Sequence, residues 1–177
     1  MDRREYLSTI VGSAGVLPLA GCTDVANSVT TTTEPPPVHE EAEDPWETFE
    51  RTTSHDSSPA LAISGEGTLD VGEYVALQVS GPSIDVQVSY LSIHVTVESD
   101  TWLDIYTLSG DAYSVYQDRT FADQGAYDNL SEEGTTEAEL EDQIASGPNW
   151  VVFDNTDVFG ASGEGSLEFR FEMTGVN

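Results

Sequence analysis

The sequence contains no lysine, and its five basic residues are Arg3, Arg4, Arg51, Arg119 and Arg170, set against 33 acids for a formal net charge of −28 over 177 residues. A chain so poor in cations has no basic patch with which to neutralise phosphates, which excludes nucleic acid as a partner. Cysteine is nearly as scarce, with Cys22 standing alone. No disulfide can form within the chain, and no zinc, iron–sulfur or blue-copper centre can be built on cysteine in the body that follows. The three histidines, His39, His55 and His94, share no metal-ligand spacing. A serine-nucleophile elbow is also missing, because Gly160, Ala161, Ser162, Gly163 and Glu164 lack the final glycine of Gly-x-Ser-x-Gly. Long apolar runs are absent too. The best stretch, Leu7 to Gly21, is interrupted by Gly12, Gly15 and Pro18 and falls short of the roughly 20 residues a membrane-spanning helix needs.

What the beginning does contain is organised. Arg3 and Arg4 followed by Glu5, Tyr6 and Leu7 resemble a twin-arginine export signal, and Leu19, Ala20, Gly21 and Cys22 resemble the lipobox of a secreted lipoprotein. Small residues at Ala20 and Gly21 let a peptidase approach the backbone, and the Cys22 thiol is the nucleophile that takes up a thioether-linked lipid. The resemblance implies a signal peptide over 1–21, a lipid on Cys22 and a mature chain tethered to the outer face of the cell membrane. At ~0.8 kcal/mol per buried methylene, two acyl chains hold far more firmly than one.

Removing that leader takes away Arg3, Arg4, Asp2 and Glu5, so the remaining 156 residues still carry −28. The acids are spread along the chain rather than gathered in a tail. Dispersed acidity without lysine resembles the proteins of extreme halophiles, whose carboxylates hold hydration while molar salt cuts the Debye length to about 3 Å. Together, leader and composition resemble a haloarchaeal surface lipoprotein.

Residues 22–59 are rich in Thr, Pro and acids, including Thr30 to Thr33 and Pro35 to Pro37. They are too apolar-poor to repay ordering and read as a disordered tether. Within it, Asp44, Pro45, Trp46 and Glu47 have the order of an N-cap, an N1 proline and a capping acid, so a short helical turn is expected near 45–51, with Trp46 and Phe49 on one face.

Residues 60–177 are long enough for one two-layer domain. Val75, Leu77 and Val79 alternate with Ala76, Gln78 and Ser80. Ile84, Val86, Val88 and Tyr90 do the same, and at Tyr90 the apolar phase flips to Leu91, Ile93, Val95 and Val97, which requires a bulge or a turn into a new strand. Trp102 to Leu108 and Thr136 to Leu140 are expected as further strands. Leu167, Phe169, Phe171 and Met173 alternate with charged residues as the last. Asp111 to Arg119 fits a short helix or a loop. Ser64 to Gly67 and Ser162 to Gly165 share a turn-like composition and are expected before strands. The fold class is therefore all-β, an antiparallel sandwich of jelly-roll or immunoglobulin-like type with one solvated side per sheet. Gly147, Pro148, Asn149, Trp150, Val151, Val152, Phe153, Asp154, Asn155 and Thr156 resemble the glycine turn, aromatic strand and Asn/Asp turn near the end of pre-peptidase C-terminal-type sandwiches. That resemblance implies an accessory module of secreted proteins without catalysis of its own.

Candidate chemistry is sparse. Asp104 and Asp154 are the carboxylates on which a hydrolase reading rests, and His94 stands on the polar side of its strand. Asp154, Asn155 and Asp157 offer oxygens to calcium but lack the spacing of an EF-type loop. Asn129, Leu130 and Ser131 form an N-glycosylation sequon. Trp102, Tyr106, Tyr113 and Tyr116 are candidates for a sugar platform. No catalytic residue, metal or cofactor is expected. The chain reads as a non-enzymatic, lipid-anchored surface sandwich that binds an envelope protein or polysaccharide, the alternatives being an extracellular hydrolase and a structural spacer. Because self-repulsion among the acids is held down by salt, desalting is expected to unfold the domain; circular dichroism unchanged at low ionic strength would remove the halophile reading.

Overall fold

Alternation is most regular in the last strand, β10 (Leu167–Val176), which buries Leu167, Phe169, Phe171 and Met173 and exposes Glu168, Arg170 and Glu172. The computed structural model describes residues 39–56, 58–118, 126–156 and 165–177. Within them the remaining strands are β1 (Glu40–Glu41), β2 (Trp46–Thr53), β3 (Leu61–Leu69), β4 (Glu73–Ser80), β5 (Tyr90–Val97), β6 (Leu103–Ser109), β7 (Glu132–Thr135), β8 (Glu137–Gln143) and β9 (Asn149–Asp154). One short helix, α1 (Gly110–Gln117), follows β6 directly.

The described strands form two five-stranded sheets, ordered β1-β4-β9-β6-β7 and β2-β3-β10-β5-β8. Every pairing is antiparallel except β1 with β4. Apart from the two N-terminal strands, the chain crosses between sheets at every step but β6 to β7, in the order of a jelly roll, so the all-β sandwich is observed. Its core lies between the sheets. Phe153 of β9 meets Phe169 and Phe171 of β10 at ring-centroid separations of 5.1 and 5.0 Å. Ile63, Leu77, Ile93 and Ile105 surround them, and each such side chain contributes roughly 1.5–3 kcal/mol on burial.

The two sheets differ in their outer faces. The β3-β10-β5 sheet is solvated outside, where Arg170 pairs with Glu66 at 2.7 Å and Glu98 at 3.3 Å. These are exposed pairs worth ~1 kcal/mol or less. The β4-β9-β6 sheet does not have the expected solvated side: Gln78 and Ser80 are buried, and Leu103 to Leu108 are buried without a break.

Several local expectations are corrected. Trp46 to Thr53 are strand, not a helical turn, and paired strand begins with β1, well before residue 60. Trp46 and Phe49 still share a face, because a register shift between Trp46 and Thr48 bulges the strand and brings residues three apart to one side. Ile84 to Val88 are not a strand: Pro82 to Asp85 form a turn closed by a Gly81–Val86 bridge, and β5 starts at Tyr90, which explains the phase flip. Ser64 to Gly67 lie inside β3. There Gly65 and Gly67 sit opposite Phe49 and Trp46, and the Trp46 ring packs 5.4 Å from that of Phe171. Glycine within a strand marks close approach. A methyl at Gly65 would lie 2.7 Å from the Thr48 carbonyl oxygen and 2.9 Å from the Phe171 ring. The expected strand near Thr136 to Leu140 is found as β8, with Glu137, Glu139 and Glu141 exposed. Gly65→Ala is expected to loosen β2 and cost about 1–3 kcal/mol in chemical denaturation at molar salt; an unchanged midpoint would show that β2 is not held by this contact.

Candidate functional site

The outer face of the β4-β9-β6 sheet is built in three rows of paired residues: Gln78–Trp150–Leu108, Ala76–Val152–Tyr106 and Tyr74–Asp154–Asp104. The helix α1 covers it. Ser109 caps the helix by accepting from the Ala112 amide at 3.4 Å, and Asp111 places a negative charge in the first turn, where the helix dipole favours it. Tyr113 and Tyr116, three apart, face the sheet. A second apolar cluster of Tyr74, Tyr106, Leu108, Tyr113, Tyr116 and Val152 results. His39, expected in the tether, is buried here, stacked on Tyr74 at 4.6 Å and edge-on to Tyr116 at 4.8 Å.

At one end of this face Asp104 and Asp154 are side by side on neighbouring strands with 0% and 1% exposure. Tyr116 donates its hydroxyl to Asp154 Oδ2 at 2.8 Å, and the Thr156 amide donates to Oδ1 at 2.7 Å. Asp104 accepts from the Gly134 amide and, at 3.4 Å, from the Tyr106 hydroxyl. Burial pushes the Asp104 carboxyl up from 3.8 to about 6; the charges of Asp154 and Glu133 add to this, while the Gly134 and Tyr106 donors oppose it. Burial likewise raises the Tyr106 and Tyr116 hydroxyls, which stay protonated and act as donors. The carboxylates expected of a hydrolase are thus brought together, but beneath tyrosines rather than in a cleft.

The other end of the face opens into a recess of about 800 Å³. Trp150 stacks on Tyr113 with centroids 4.4 Å apart and planes 18° from parallel. Below them Asn149 pins the 145–149 turn by donating to the Ala145 and Gly147 carbonyls at 2.9 and 3.1 Å. Tyr127 donates to Asn149 Oδ1 at 2.9 Å and accepts from the Ala145 amide at 3.0 Å. On the β4 side, Gln78 donates to the Ser80 carbonyl and accepts from the Ser83 hydroxyl at 2.7 Å. Asn149, Tyr127 and Gln78 thus brace the turn and the β4 edge that frame the recess.

The other predicted sites fall elsewhere. His94 lies on the outer face of the opposite sheet, its Nδ1 3.6 Å from Glu139 Oε1, both exposed to solvent in a shallow depression. Of the candidate calcium oxygens, Asp154 accepts from Tyr116 and the Thr156 amide, the Asn155 amide donates to the Leu69 and Gly165 carbonyls, and Asp157 is outside the described residues. Among the described residues no group of three metal-ligating side chains could hold an ion. Asn129 is exposed in a 3-10 turn, with its amide donating to Asp142 at 2.6 Å. The four-aromatic platform is not formed: Tyr106, Tyr113 and Tyr116 are buried together, and Trp102 is exposed apart from them. Arg3, Arg4, Leu19, Ala20, Gly21 and Cys22 lie outside the described residues. Among those described, no helix is long and apolar enough to cross a membrane.

Sequence reasoning overlooked Trp150, Asn149, Tyr127 and Gln78 as a group. The available signal was Gly147, Pro148, Asn149 and Trp150 in succession, a turn delivering an aromatic to a strand start. No protein-family model and no curated protein matches the chain.

Because the folded-state value of Asp104 lies above its unfolded one, the folded protein binds the extra proton more tightly. This contribution to stability is full below pH ~4 and is lost as pH rises through about 6. Asp104→Asn keeps an acceptor for Gly134 and removes the charge. It is expected to raise stability at pH 7.5 by about 1–3 kcal/mol and to match the parent at pH 4 in denaturation series at constant molar salt. A gap of equal size at both pH values would refute the assignment.

Proposed function

We propose that the protein is a non-enzymatic module, anchored by lipid on Cys22 to the outer face of a halophile's cell membrane, whose recess beside α1 binds a component of the cell envelope. The recess carries this reading: it is an open, internally braced cleft with an aromatic floor on a body otherwise covered in carboxylates. The anchor is supported by the export-like and lipobox-like leader, and the salt-adapted setting by the dispersed charge of −28. The accessory role in the family that 147–156 resembles is of the same kind. Against a hydrolase stands the position of Asp104 and Asp154, sealed from any substrate by Tyr106 and Tyr116. A pure spacer has no need of a braced recess.

Two measurements on native protein test the proposal. Mass spectrometry is expected to find residues 1–21 absent and a thioether lipid on Cys22. The full chain, immobilised at molar salt, is expected to retain an envelope component from extract. Cys22 bare with the leader attached would overturn the anchor, and no retention would overturn the binding role.

A further inference from the structure

We propose that the recess beside α1 takes a neutral carbohydrate, a short oligosaccharide lying against Trp150, which buried Tyr113 holds in place from behind. This deepens the binding-module reading and rests on it. The recess, at about 800 Å³, is within the ~300–1,000 Å³ of sites for small ligands. Its lining combines the part-exposed Trp150 ring with the exposed side chains of Ser114, Gln117 and Ser146. A sugar ring presents the matching pair of surfaces, an apolar face of C–H groups and a rim of hydroxyls. The aromatic side chains supply contact area at low entropic cost. The frame is also built before any ligand arrives. Asn149, Tyr127 and Gln78 spend their bonds on holding the turn and the β4 edge in place, so little ordering cost remains for binding.

Charge decides the class. The recess has no cationic side chain, and only Glu41 and Asp111 bring carboxylates to it. An anionic glycan would meet a chain of net charge −28 with nothing to pair with. A cationic peptide has a better place to go: a second depression of about 570 Å³ is lined by Glu40, Glu41, Glu43, Asp44, Asp70 and Glu73. Stacking and uncharged hydrogen bonds also survive molar salt, in which interactions between separated charges are screened over about 3 Å.

The test uses the full chain in molar salt, titrated with maltotriose, cellotriose and tri-N-acetylchitotriose, with trilysine and trigalacturonate as comparators. Binding is read by calorimetry and tryptophan fluorescence. At least one neutral trisaccharide is expected to bind and to shift the emission, while the two charged probes leave the recess untouched. Trp150→Phe should weaken binding about three-fold. Ser114→Arg, at an exposed helix position on the recess wall, should weaken it at least ten-fold without disturbing the core. Trp102→Phe, exposed outside the recess, should change nothing. Circular dichroism of each variant confirms the fold. No binding by any of the three neutral sugars overturns the proposal. So does binding that Ser114→Arg leaves intact, or tighter binding of trilysine that Ser114→Arg abolishes. Retention of an envelope component that Ser114→Arg abolishes, with no trisaccharide bound, overturns the carbohydrate class and leaves the binding module standing.

Discussion

Strand β9 is covered on both faces, and much of the molecule follows from that burial. Its inner side chains, Val151 and Phe153, join the core between the sheets, while Val152 and Asp154 are sealed on the outer side. An antiparallel sheet can leave one face to water, but here the outer rows are too aromatic to do so and are roofed by α1 and His39. The roof is short. An eight-residue helix spans about 12 Å, enough to cover the centre of the face and leave one end open. That end is the recess.

The same roof sorts the acids of the chain into two populations. Most are on the surface, where water and salt hold them, and among the described residues one arginine, Arg170, bridges two of them. Asp104 and Asp154 are different. Each is out of water and accepts hydrogen bonds from backbone amides and tyrosine hydroxyls, which is how buried carboxylates are made tolerable. The charge of Asp154 adds to the rise that burial causes in the Asp104 carboxyl, and the Tyr106 and Tyr116 hydroxyls lie against the pair. The pair is buried and braced within the face rather than set in an open cleft.

The functional reading follows from where water is and is not admitted. The end at Asp104 and Asp154 is buried, whereas the end at Trp150 is open, and there Asn149, Tyr127 and Gln78 bond to the neighbouring turn and strand edge. An open recess with an aromatic wall and no cation suits recognition. The 145–149 turn is central to this, since Asn149 and Tyr127 hold it against the sheet.

Period-2 patterning in β5 and β10 was legible from the residues, because a half-buried strand imposes alternation on its own sequence. So were the absence of cysteine chemistry and the excess of acid, which need no structure to be read. The strand at Trp46 was not legible: its cap-like Asp44-Pro45 signal is local, whereas the pairing with β3 is a contact between distant segments, made room for by Gly65 and Gly67. The double burial of β6 and β9 was equally hidden, since nothing in Leu103 to Leu108 says that a helix will lie over it. Sequence by itself determined the all-β class and the charge, both properties of short windows and of simple counts. Only the tertiary structure decided that Asp104 and Asp154 are shut away and that Trp150, Tyr113 and Asn149 meet at an opening, because exposure is a property of what packs on top, and that is set by residues far away along the chain.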